Sequence, residues 1–368
     1  MDQVLSPGSR VLLTGATGLI GGEILRRLDG QCAHVWALVR PRDDMDPAER
    51  LGARYRRSGE FTGPGRNVEA VAGDVAAQGW GLSPADHDRI LDADVIFHNA
   101  ADTSFAAHRD TGKTNIQSVE HLIALARRFP KPPLIVYMGT ATNVGRVTGA
   151  VIPEEAGCQS EGEHFNEYTR SKAVAEATLR ASGLPVLVLR PSIVLGAGLP
   201  DPGFAKQILW CVPLTRCFRA LPVDPTARLD LVDVGFCADA AVALARHARR
   251  RFDCYHLSAG TNGCVNVGQM RVVVDEMFAR KKPIQCVPPG EWTRDHLRKY
   301  VRTPLQKRVF RSLRHYLPFL NMDVVFDDTR MQMDLAEAVP PLRSPVDYLP
   351  ELVRLIRPRA ALREAALP

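Results

Sequence analysis

The chain has 368 residues, of which 45% are hydrophobic and 24% are charged, and its formal net charge is +6. Because 41 acidic residues accompany 47 basic ones, the composition is not that of a nucleic-acid-binding protein. No apolar run is long enough to span a bilayer, and residues 1–9 lack the basic and apolar regions of a signal peptide, so we expect a cytoplasmic location. The eight cysteines form no CxxC motif, which argues against a metal site.

The first recognisable motif is a glycine-rich turn at residues 14–21, with the sequence Thr-Gly-Ala-Thr-Gly-Leu-Ile-Gly. It follows an apolar run at 10–13 that predicts a strand, and it precedes a helical pattern at 23–28. A strand, a glycine turn and a helix in this order predict a dinucleotide site, in which the helix N-terminus faces the phosphates. An ordinary turn would need only one glycine. We therefore predict cofactor contacts at Gly15, Thr17, Gly18, Leu19, Ile20 and Gly21.

Short apolar runs then alternate with helical patterns as far as residue 190. We predict further strands at 35–39, 68–72, 95–98, 134–138 and 186–189, and helices at 48–57, 84–91, 114–129 and 167–181. Strands that alternate with helices indicate a parallel sheet covered on both faces. The expected fold class is therefore α/β, with a doubly wound parallel sheet of the Rossmann type.

The residue that ends the second predicted strand indicates which nicotinamide cofactor is bound. An acidic residue there would bind the ribose 2′-hydroxyl of NAD, whereas an arginine fits the 2′-phosphate of NADP. This chain has Arg40 at that position, and Arg42 follows after one proline. The alternative is that Arg40 is an ordinary solvated side chain. We predict NADPH as the cofactor.

Two further strand ends carry candidate cofactor contacts. Asp74, after the third strand, either accepts hydrogen bonds from an adenine amine or caps the next turn. Small residues after the fourth strand would let a nicotinamide ribose lie against the backbone, and we expect His98 before them to be structural. The predicted contacts here are Asp74, Val75, Asn99, Ala100 and Ala101.

A tyrosine and a lysine lie four residues apart in a predicted helix, so Tyr168 and Lys172 share one helix face. A lysine cation stabilises phenolate and would lower the tyrosine pKa from its usual value of about 10, which would make Tyr168 a general acid near neutral pH. Of the seven tyrosines, only Tyr168 has a lysine four residues on. Because the pair also follows a cofactor motif, we predict a catalytic role rather than a chance pairing.

Three other polar side chains are candidates for the same site. Thr140 and Thr142 follow the fifth predicted strand, at the edge where such sheets bind their ligands. Asn115, in the preceding helix, bonds either within the active site or locally. Both alternatives for Asn115 stay open, since a buried amide needs partners in either case.

Together these residues resemble the extended short-chain dehydrogenase/reductase superfamily over residues 1–260. The matching pieces are 14–21, Gly73-Asp74, 98–101, Asn115, Thr140, Tyr168 with Lys172, and Arg190-Pro191-Ser192. The resemblance implies that Thr140 takes the family's hydroxyl position, five residues before the glycine of a Ser-x-x-x-x-Gly loop, although this chain has threonine there. Thr142 is the alternative. The resemblance also implies that Lys172 binds the nicotinamide ribose and that Pro191 and Ile193 contact the cofactor.

Within that superfamily the chain is most similar to the fatty acyl-CoA reductase and thioester reductase branch. The pieces that indicate this branch are 37–40, 73–75 with 81–83, 98–101 with Phe105, 255–257 and 325–330. The branch implies that NADPH reduces an acyl thioester, carried by coenzyme A or a carrier protein, to an aldehyde and, with a second hydride, to an alcohol. The resemblance also implies two rivals, a nucleotide-sugar epimerase, dehydratase or other carbonyl reductase and a non-catalytic cofactor sensor, although a sensor would usually have lost the tyrosine or the lysine.

The remaining chain predicts a smaller C-terminal α/β lobe for the substrate. Residues 195–226 hold five prolines among apolar side chains, too broken for a sheet element, and we interpret them as an apolar wall. Residues 294–315 are strongly basic, which indicates either a solvated helix face or a surface for phosphates, an acidic carrier or an anionic membrane. We expect a cofactor domain at 1–194 plus about 229–258 and a substrate lobe at 195–228 plus about 259–368.

Overall fold

The computed structural model describes residues 4–41, 45–56, 65–105, 111–196, 208–335 and 338–354. Its strands are β1 (Arg10–Thr14), β2 (His34–Val39), β3 (Val68–Ala72), β4 (Val95–His98), β5 (Leu134–Met138), β6 (Val151–Ile152), β7 (Val186–Pro191), β8 (Ile193–Leu195), β9 (Ala220–Leu221), β10 (Arg228–Leu229), β11 (Leu231–Asp233), β12 (Cys254–Leu257), β13 (Val265–Asn266), β14 (Gln285–Cys286) and β15 (Val325–Phe326). Its α-helices are α1 (Leu19–Leu28), α2 (Pro47–Arg56), α3 (Pro84–Ile90), α4 (Thr111–Ala126), α5 (Glu167–Arg180), α6 (Val234–Arg246), α7 (Gly260–Gly263), α8 (Val267–Met277), α9 (Arg294–Tyr300), α10 (Pro304–Leu313), α11 (Leu317–Leu320), α12 (Thr329–Leu335) and α13 (Pro345–Arg354).

Seven strands form one parallel sheet in the order β3, β2, β1, β4, β5, β7 and β12. All six strands predicted from the sequence are present, so the doubly wound α/β fold is confirmed. The edge strand β12 is not among the predicted strands. The chain direction across the sheet reverses at β1, which pairs with β2 on one side and β4 on the other. In such sheets ligands bind at the carboxyl ends of the strands at this reversal.

The central strands are apolar throughout because helices cover both faces of the sheet. β4 and β5 are buried at every residue. Leu13 and Val136 point to the face that α1 and α6 cover, whereas their neighbours Leu12 and Tyr137 point to the face that α4 and α5 cover. This alternation is the two-residue period of a strand. The two cores hold the carboxyl ends of the strands in fixed relative positions.

Helix α5 carries the predicted tyrosine and lysine pair, and its start is set by a side-chain cap. Asn166 Oδ1 accepts a hydrogen bond from the Thr169 amide at 2.9 Å. Such a cap satisfies an amide that has no partner within the helix. The fully buried Ala173 and Ala175 lie on the same helix. The helix therefore begins at a defined residue, which fixes the direction of the side chains in its first turns.

The prediction that residues 195–226 contain no sheet element is wrong at the C-terminal end of that stretch. Ala220–Leu221 forms β9, which pairs in parallel with β14. Both residues of β9 are buried, as is Phe218 before them, so this short pair is held by apolar packing. Residues 197–207 lie outside the described residues.

A second apolar core lies among the later elements. Its members come from the described stretch after β8 and from α8, α10 and α13, and they include Leu209, Phe218, Val273, Val309 and Leu352. The predicted basic stretch forms α9 and α10, and Pro304 is the first residue of α10. The domain boundaries given above stay a prediction.

Three findings concern membrane-spanning helices, cysteine thiols and metal ligands. Within the described ranges, no helix combines the length and apolar character needed to cross a membrane. All eight cysteines are free thiols, and Cys32, Cys211, Cys237 and Cys254 among them are buried. In the part of the chain that the structure describes, no cluster of three or more His, Cys, Asp or Glu side chains is arranged to hold a metal ion.

Candidate active site

The predicted glycine turn lies at the carboxyl end of β1, where close backbone approaches explain its glycines. Gly15 has a φ of 74°, and a Cβ there would lie 2.9 Å from the Ala100 amide nitrogen. A Cβ on Gly21 would overlap the Gly15 carbonyl oxygen. Gly18 precedes α1, donates its amide to Gly15 O at 2.8 Å and is exposed. Helix α1 has no side-chain cap and no acidic residue in its first turn, which suits an anion at this end.

The sequence analysis missed Thr14, whose hydroxyl ties two strand ends together. Thr14 Oγ1 accepts hydrogen bonds from the amides of Asn99 and Ala100, each at 3.1 Å. It also lies 3.3 Å from His98 Nδ1. The predicted residues after β4 therefore meet the glycine turn, with Asn99 and Ala100 half-buried and Ala101 exposed. A polar residue at the end of an apolar strand is the signal that would have marked Thr14.

The predicted specificity residue Arg40 lies at the carboxyl end of β2 with 62% of its side chain exposed, and its Nη1 is 3.7 Å from Asp74 Oδ2. Asp74 also caps its own turn, because its Oδ1 accepts the Ala76 amide at 3.0 Å. Asp74 thus caps its turn with one oxygen, and its second oxygen faces Arg40. The cap does not use that second oxygen, so the predicted bond to an adenine amine stays open. Val75 is half-buried beside Asp74, and Arg42 lies outside the described residues.

Lys172 is buried, and its ammonium donates a hydrogen bond to the Met138 carbonyl oxygen at 2.6 Å. The same nitrogen lies 4.3 Å from the centre of the Tyr137 ring. Burial lowers the pKa of Lys172 to about 7, and the Glu176 carboxylate opposes that change. Near neutral pH the Lys172 side chain can therefore lose a proton as the ammonium and regain it as the amine.

Tyr168 lies on the same face of α5, half-buried, with its ring 5.7 Å from the ring of Phe105. The expectation that Lys172 lowers the pKa of Tyr168 is wrong in this structure, because burial raises that pKa to about 12. Desolvation disfavours phenolate, and the Lys172 ammonium donates to the Met138 carbonyl instead. At neutral pH Tyr168 is therefore a protonated hydrogen-bond donor.

The two predicted hydroxyls are in contact with each other. Thr140 Oγ1 lies 2.9 Å from Thr142 Oγ1 and accepts the Thr142 amide at 3.3 Å. Both residues are nearly fully buried and belong to the 3-10 turn that follows β5. Because the two hydroxyl oxygens are within hydrogen-bond distance, either hydroxyl can donate to the other.

Asn115 is buried, and its amide is bonded on both sides. Its Oδ1 accepts the Asp102 amide at 2.8 Å, and its Nδ2 donates to Asp102 O and Ser171 Oγ, each at 3.0 Å. These bonds tie the loop after β4 to the helix that carries Lys172. The partners of Asn115 are distant in sequence, so Asn115 holds these two elements together, and its part in the reaction stays a prediction.

Two other predicted positions lie at the same edge of the sheet. Pro191 ends β7 and is buried, and Ile193 begins β8 and is half-buried. His98 is buried between the rings of Trp80 and Tyr137, at centroid distances of 6.0 and 6.1 Å. Burial, with Lys172 nearby, lowers the pKa of His98 to about 3, which agrees with a neutral structural histidine.

An aromatic wall lines the site beside Tyr168, and the sequence analysis did not assemble it. Phe105 lies 5.0 Å from Tyr316 and 5.2 Å from Phe319, and Phe319 lies 5.4 Å from Phe165, all as ring-centre distances. We call Phe105, Phe165, Tyr316 and Phe319 the aromatic wall. Two of its members precede α5 and two follow α10, so the folded chain brings Phe105, Tyr316 and Phe319 together beside Tyr168.

A basic face lies on the two helices that lead to this wall. Its exposed side chains are Arg294, Arg298, Lys299, Arg302, Lys307, Arg308, Arg311 and Arg314. Arg298 is 3.5 Å from Asp295, at a position where both side chains are almost fully solvated. Tyr316 of the aromatic wall follows the last of these residues by two positions in the sequence.

A family model of NAD-binding proteins, described as "Male sterility protein", matches residues 13–241, which include the glycine turn, Thr140, Tyr168 and Lys172. The chain belongs to this family. The resemblance to the thioester reductase branch of the extended short-chain dehydrogenase/reductase superfamily seen in the sequence is therefore confirmed. Membership in this family also supports the binding of a nucleotide cofactor.

Individual relatives match different shares of the chain. Fatty acyl-CoA reductase 1 of Rattus norvegicus is 25% identical over 86% of this chain and 69% of its own length. The Xenopus laevis protein of the same name is 24% identical over 79% and 66%. The PKS-NRPS hybrid synthetase cheA of Chaetomium globosum is 32% identical over 54% of this chain, which is 4% of that synthetase. The chain thus spans about two thirds of the reductases and a small part of the synthetase.

Solved structures share the fold at low identity. The terminal R domain from the myxalamid PKS-NRPS biosynthetic pathway has a TM-score of 0.72 at 23% identity, covering 96% of this chain and 94% of its own. UDP-glucuronic acid 4-epimerase from Bacillus cereus has a TM-score of 0.64 at 14% identity, covering 95% and 100%. Reductases and epimerases are thus alike in fold, so fold alone does not choose between their reactions.

Proposed function

We propose that this protein reduces an acyl thioester with NADPH, releasing a thiol and an aldehyde, which a second hydride can take to the alcohol. The observation that carries the proposal is the Tyr168 and Lys172 pair beside an aromatic wall, in a chain of the male sterility family. Relatives named as fatty acyl-CoA reductases support the substrate class.

The residues present fit a dinucleotide. The open turn at Gly15 and Gly18 would accept the pyrophosphate, and the uncapped start of α1 would face it. Bound there, NADPH would supply the hydride. Arg40 would bind the 2′-phosphate, since it follows the carboxyl end of β2 and 62% of its side chain is exposed. The Lys172 ammonium would bind the nicotinamide ribose, and Pro191 and Ile193 would lie beside the ring.

The protonated phenol of Tyr168 would donate to the oxygen of the substrate as negative charge develops there. Thr140, backed by Thr142, would hold the same oxygen with a second hydrogen bond. Hydride addition at the carbonyl carbon and this proton would give a tetrahedral hemithioacetal. Its carbon–sulfur bond would then break, giving aldehyde and thiol. Donors of this kind lower the barrier because they are already placed where charge appears.

The surfaces around Tyr168 favour an apolar acyl group over a sugar. The aromatic wall offers rings, and burying apolar area stabilises a complex by roughly 25 cal/mol per Å². A nucleotide-sugar would need paired polar groups, since each buried unpaired one costs ~1–3 kcal/mol. The basic face would meet the phosphates of coenzyme A or an acidic carrier protein.

A screen of purified protein tests the function directly. We expect NADPH to be oxidised with acyl-CoAs or acyl phosphopantetheine carriers, with aldehyde or alcohol formed in proportion. Turnover of a nucleotide sugar, with no thioester or aldehyde of any chain length accepted, would reject the substrate class. Tightly retained NAD in the purified protein would favour an epimerase.

Replacing Arg40 by aspartate should weaken NADPH binding by about tenfold or more, because a hydrogen bond to a charged group is worth ~1.5–3 kcal/mol. NADH binding should change little. Arg40→Gln, which adds no repulsion with Asp74, should shift the preference less and in the same direction. Equilibrium titrations of both cofactors give the four dissociation constants.

Arg10→Asp is the matched control for that change, because Arg10 is also exposed, pairs with Asp92 at 2.7 Å and lies at the amino end of β1, away from the carboxyl ends of the strands. It should leave both dissociation constants as they are. If Arg40→Asp binds both cofactors as the wild type does, Arg40 is only a surface charge and Arg42 becomes the next candidate.

Reversing the charge at Arg298, Lys299 and Arg302 should raise KM for a thioester substrate, because these side chains would attract its phosphates or its carrier. The effect should shrink as salt rises, since salt screens exposed charges. Turnover of a free aldehyde, which carries neither group, should stay the same. The same reversal at Arg127, Arg128 and Lys131, exposed at the far end of α4, is the control. If the control variant raises KM for the thioester equally, the change in KM comes from net charge and not from the basic face.

A further inference from the structure

A buried carboxylate, Glu176, lies on the face of α5 that carries Tyr168 and Lys172, one helical turn beyond the lysine. Both Glu176 and Arg190 on β7 are almost completely buried, at 0% and 2% exposed. Arg190 Nη2 donates to Glu176 Oε1 at 2.6 Å, and Arg190 Nη1 donates to the Ala156 carbonyl at 2.7 Å. Arg180 Nε adds a bond to the same Oε1 at 3.1 Å. The carboxylate is thus held in one orientation from several sides.

The other oxygen of Glu176 reaches the turn that carries the two predicted hydroxyls. Asn143 Nδ2 donates to Glu176 Oε2 at 2.5 Å, and Asn143 is fully buried. The backbone N–H of Asn143 donates to the Thr140 carbonyl oxygen at 3.3 Å. A Cβ on Gly139 would lie 3.2 Å from Glu176 Oε2, so the glycine before Thr140 leaves room for the carboxylate. One side chain therefore touches the turn, the helix and β7.

We propose that Glu176 is a positioning residue, which sets the Thr140 turn against the Tyr168 and Lys172 face of α5 and stabilises the charged form of Lys172. The inference rests on the proposed carbonyl reduction. Two hydrogen-bond donors act on one developing oxyanion only if their separation is fixed before the reaction. The Asn143 bond fixes that separation, and the carboxylate charge acts on the ammonium one turn away.

The charge part of the inference depends on every ionisable group around Lys172 and Glu176. These groups include Arg180 and Tyr168 on α5, Arg190 on β7, Tyr137 on β5, His98 on β4, Cys254 on β12, Cys158 in the loop after β6 and Asp253, whose carboxylate pairs with Arg180 at 3.5 Å. The carboxylate that acts on Lys172 is Glu176. It opposes the lowering of the Lys172 pKa by burial.

Two variants separate the two parts of this role. Asn143→Ala removes the bond to the turn and leaves every charge in place, so kcat should fall by roughly ten- to a hundredfold, as expected for misplaced catalytic groups. Its KM for NADPH and its pH profile should stay as in the wild type. Glu176→Gln keeps the shape and removes the charge. The pKa of Lys172 should then fall. As pH rises, activity should therefore begin to decline at a lower pH than in the wild type, because Lys172 loses its charge earlier.

The pKa of Lys172 can be read without any substrate, from the pH dependence of its NMR signal in 13C-lysine-labelled protein, with Lys172→Arg to assign it. This measurement separates the inference from the proposed function. If the wild type reduces no carbonyl compound, the function fails, and the NMR shift still decides whether Glu176 holds the charge on Lys172. An unchanged Lys172 pKa in folded Glu176→Gln overturns the charge part.

Loss of folding is controlled in two ways. Removing one partner of a buried ion pair is destabilising, so Glu176→Gln/Arg190→Gln, which removes both charges, is the second charge variant. Leu179→Ala is the structural control, because Leu179 is fully buried on the same helix and has its side chain in the core under the sheet. It should lower stability and leave kcat per folded molecule unchanged. If folded Asn143→Ala keeps kcat within about threefold of the wild type, the positioning part is wrong.

Discussion

Replacing Tyr168 by phenylalanine should lower kcat by ~10²–10⁴-fold, the usual contribution of a general acid, while the Kd for NADPH stays nearly unchanged. The phenol acts mainly in the transition state, where the carbonyl oxygen gains charge, so its loss should not weaken the ground-state complex. Phenylalanine keeps the ring, which contacts Phe105 at 5.7 Å, so the aromatic wall should stay intact. Single-turnover kinetics and a cofactor titration on the same preparation measure the two quantities.

Tyr300→Phe is the matched control, because this change also removes one tyrosine hydroxyl. Tyr300 lies on α9, and its hydroxyl donates to Gln285 Oε1 at 3.0 Å. It should retain wild-type kcat with a free aldehyde. A Tyr168→Phe enzyme that keeps a third of the wild-type kcat would remove Tyr168 from the reaction. Thr140 and Thr142 would then be the remaining donors to the oxyanion.

The parts of this site that the sequence predicted are those that depend on neighbours in the chain. The glycine turn is local, since Gly15, Gly18 and Gly21 act on one strand and the helix that follows it. The pairing of Tyr168 with Lys172 follows from helix geometry alone. The sheet was predictable because its strands are short apolar runs between helical patterns.

The parts that were missed depend on contacts between distant segments. Thr14 bonds to the amides of residues 99 and 100, and Glu176 pairs with Arg190. The position of Thr14 at the end of an apolar strand marks it as a candidate, but one sequence does not give the partners of either residue. The strand β12 is short and lies at the sheet edge, where its pairing with β7 decides that it forms. The aromatic wall joins residues more than 200 positions apart.

The direction of the Tyr168 pKa shows why spacing alone is an incomplete guide to chemistry. A neighbouring cation lowers a phenol pKa and burial raises it, and the sequence reports only the first of these. In the folded chain the lysine donates to the Met138 carbonyl, and burial decides the direction. Tyr168 is therefore protonated at neutral pH, which is the form that a hydrogen-bond donor to a developing oxyanion requires.

Replacing Gly21 by alanine should weaken NADPH binding at least tenfold and destabilise the protein, although alanine ordinarily favours a helix by ~0.5–1 kcal/mol over glycine. The sign reverses because the new Cβ would overlap the Gly15 carbonyl oxygen and lie 2.7 Å from Asn99 Nδ2. Overpacking of this kind typically costs ~1–3 kcal/mol, and relief requires moving the turn whose amides would bind the pyrophosphate. Gly157→Ala is the control, since a Cβ there would meet nothing within 4 Å. Thermal unfolding with and without NADPH measures both effects. A Gly21→Ala protein as stable as Gly157→Ala, with the same NADPH-induced rise in Tm, would contradict the assignment of this turn to the cofactor.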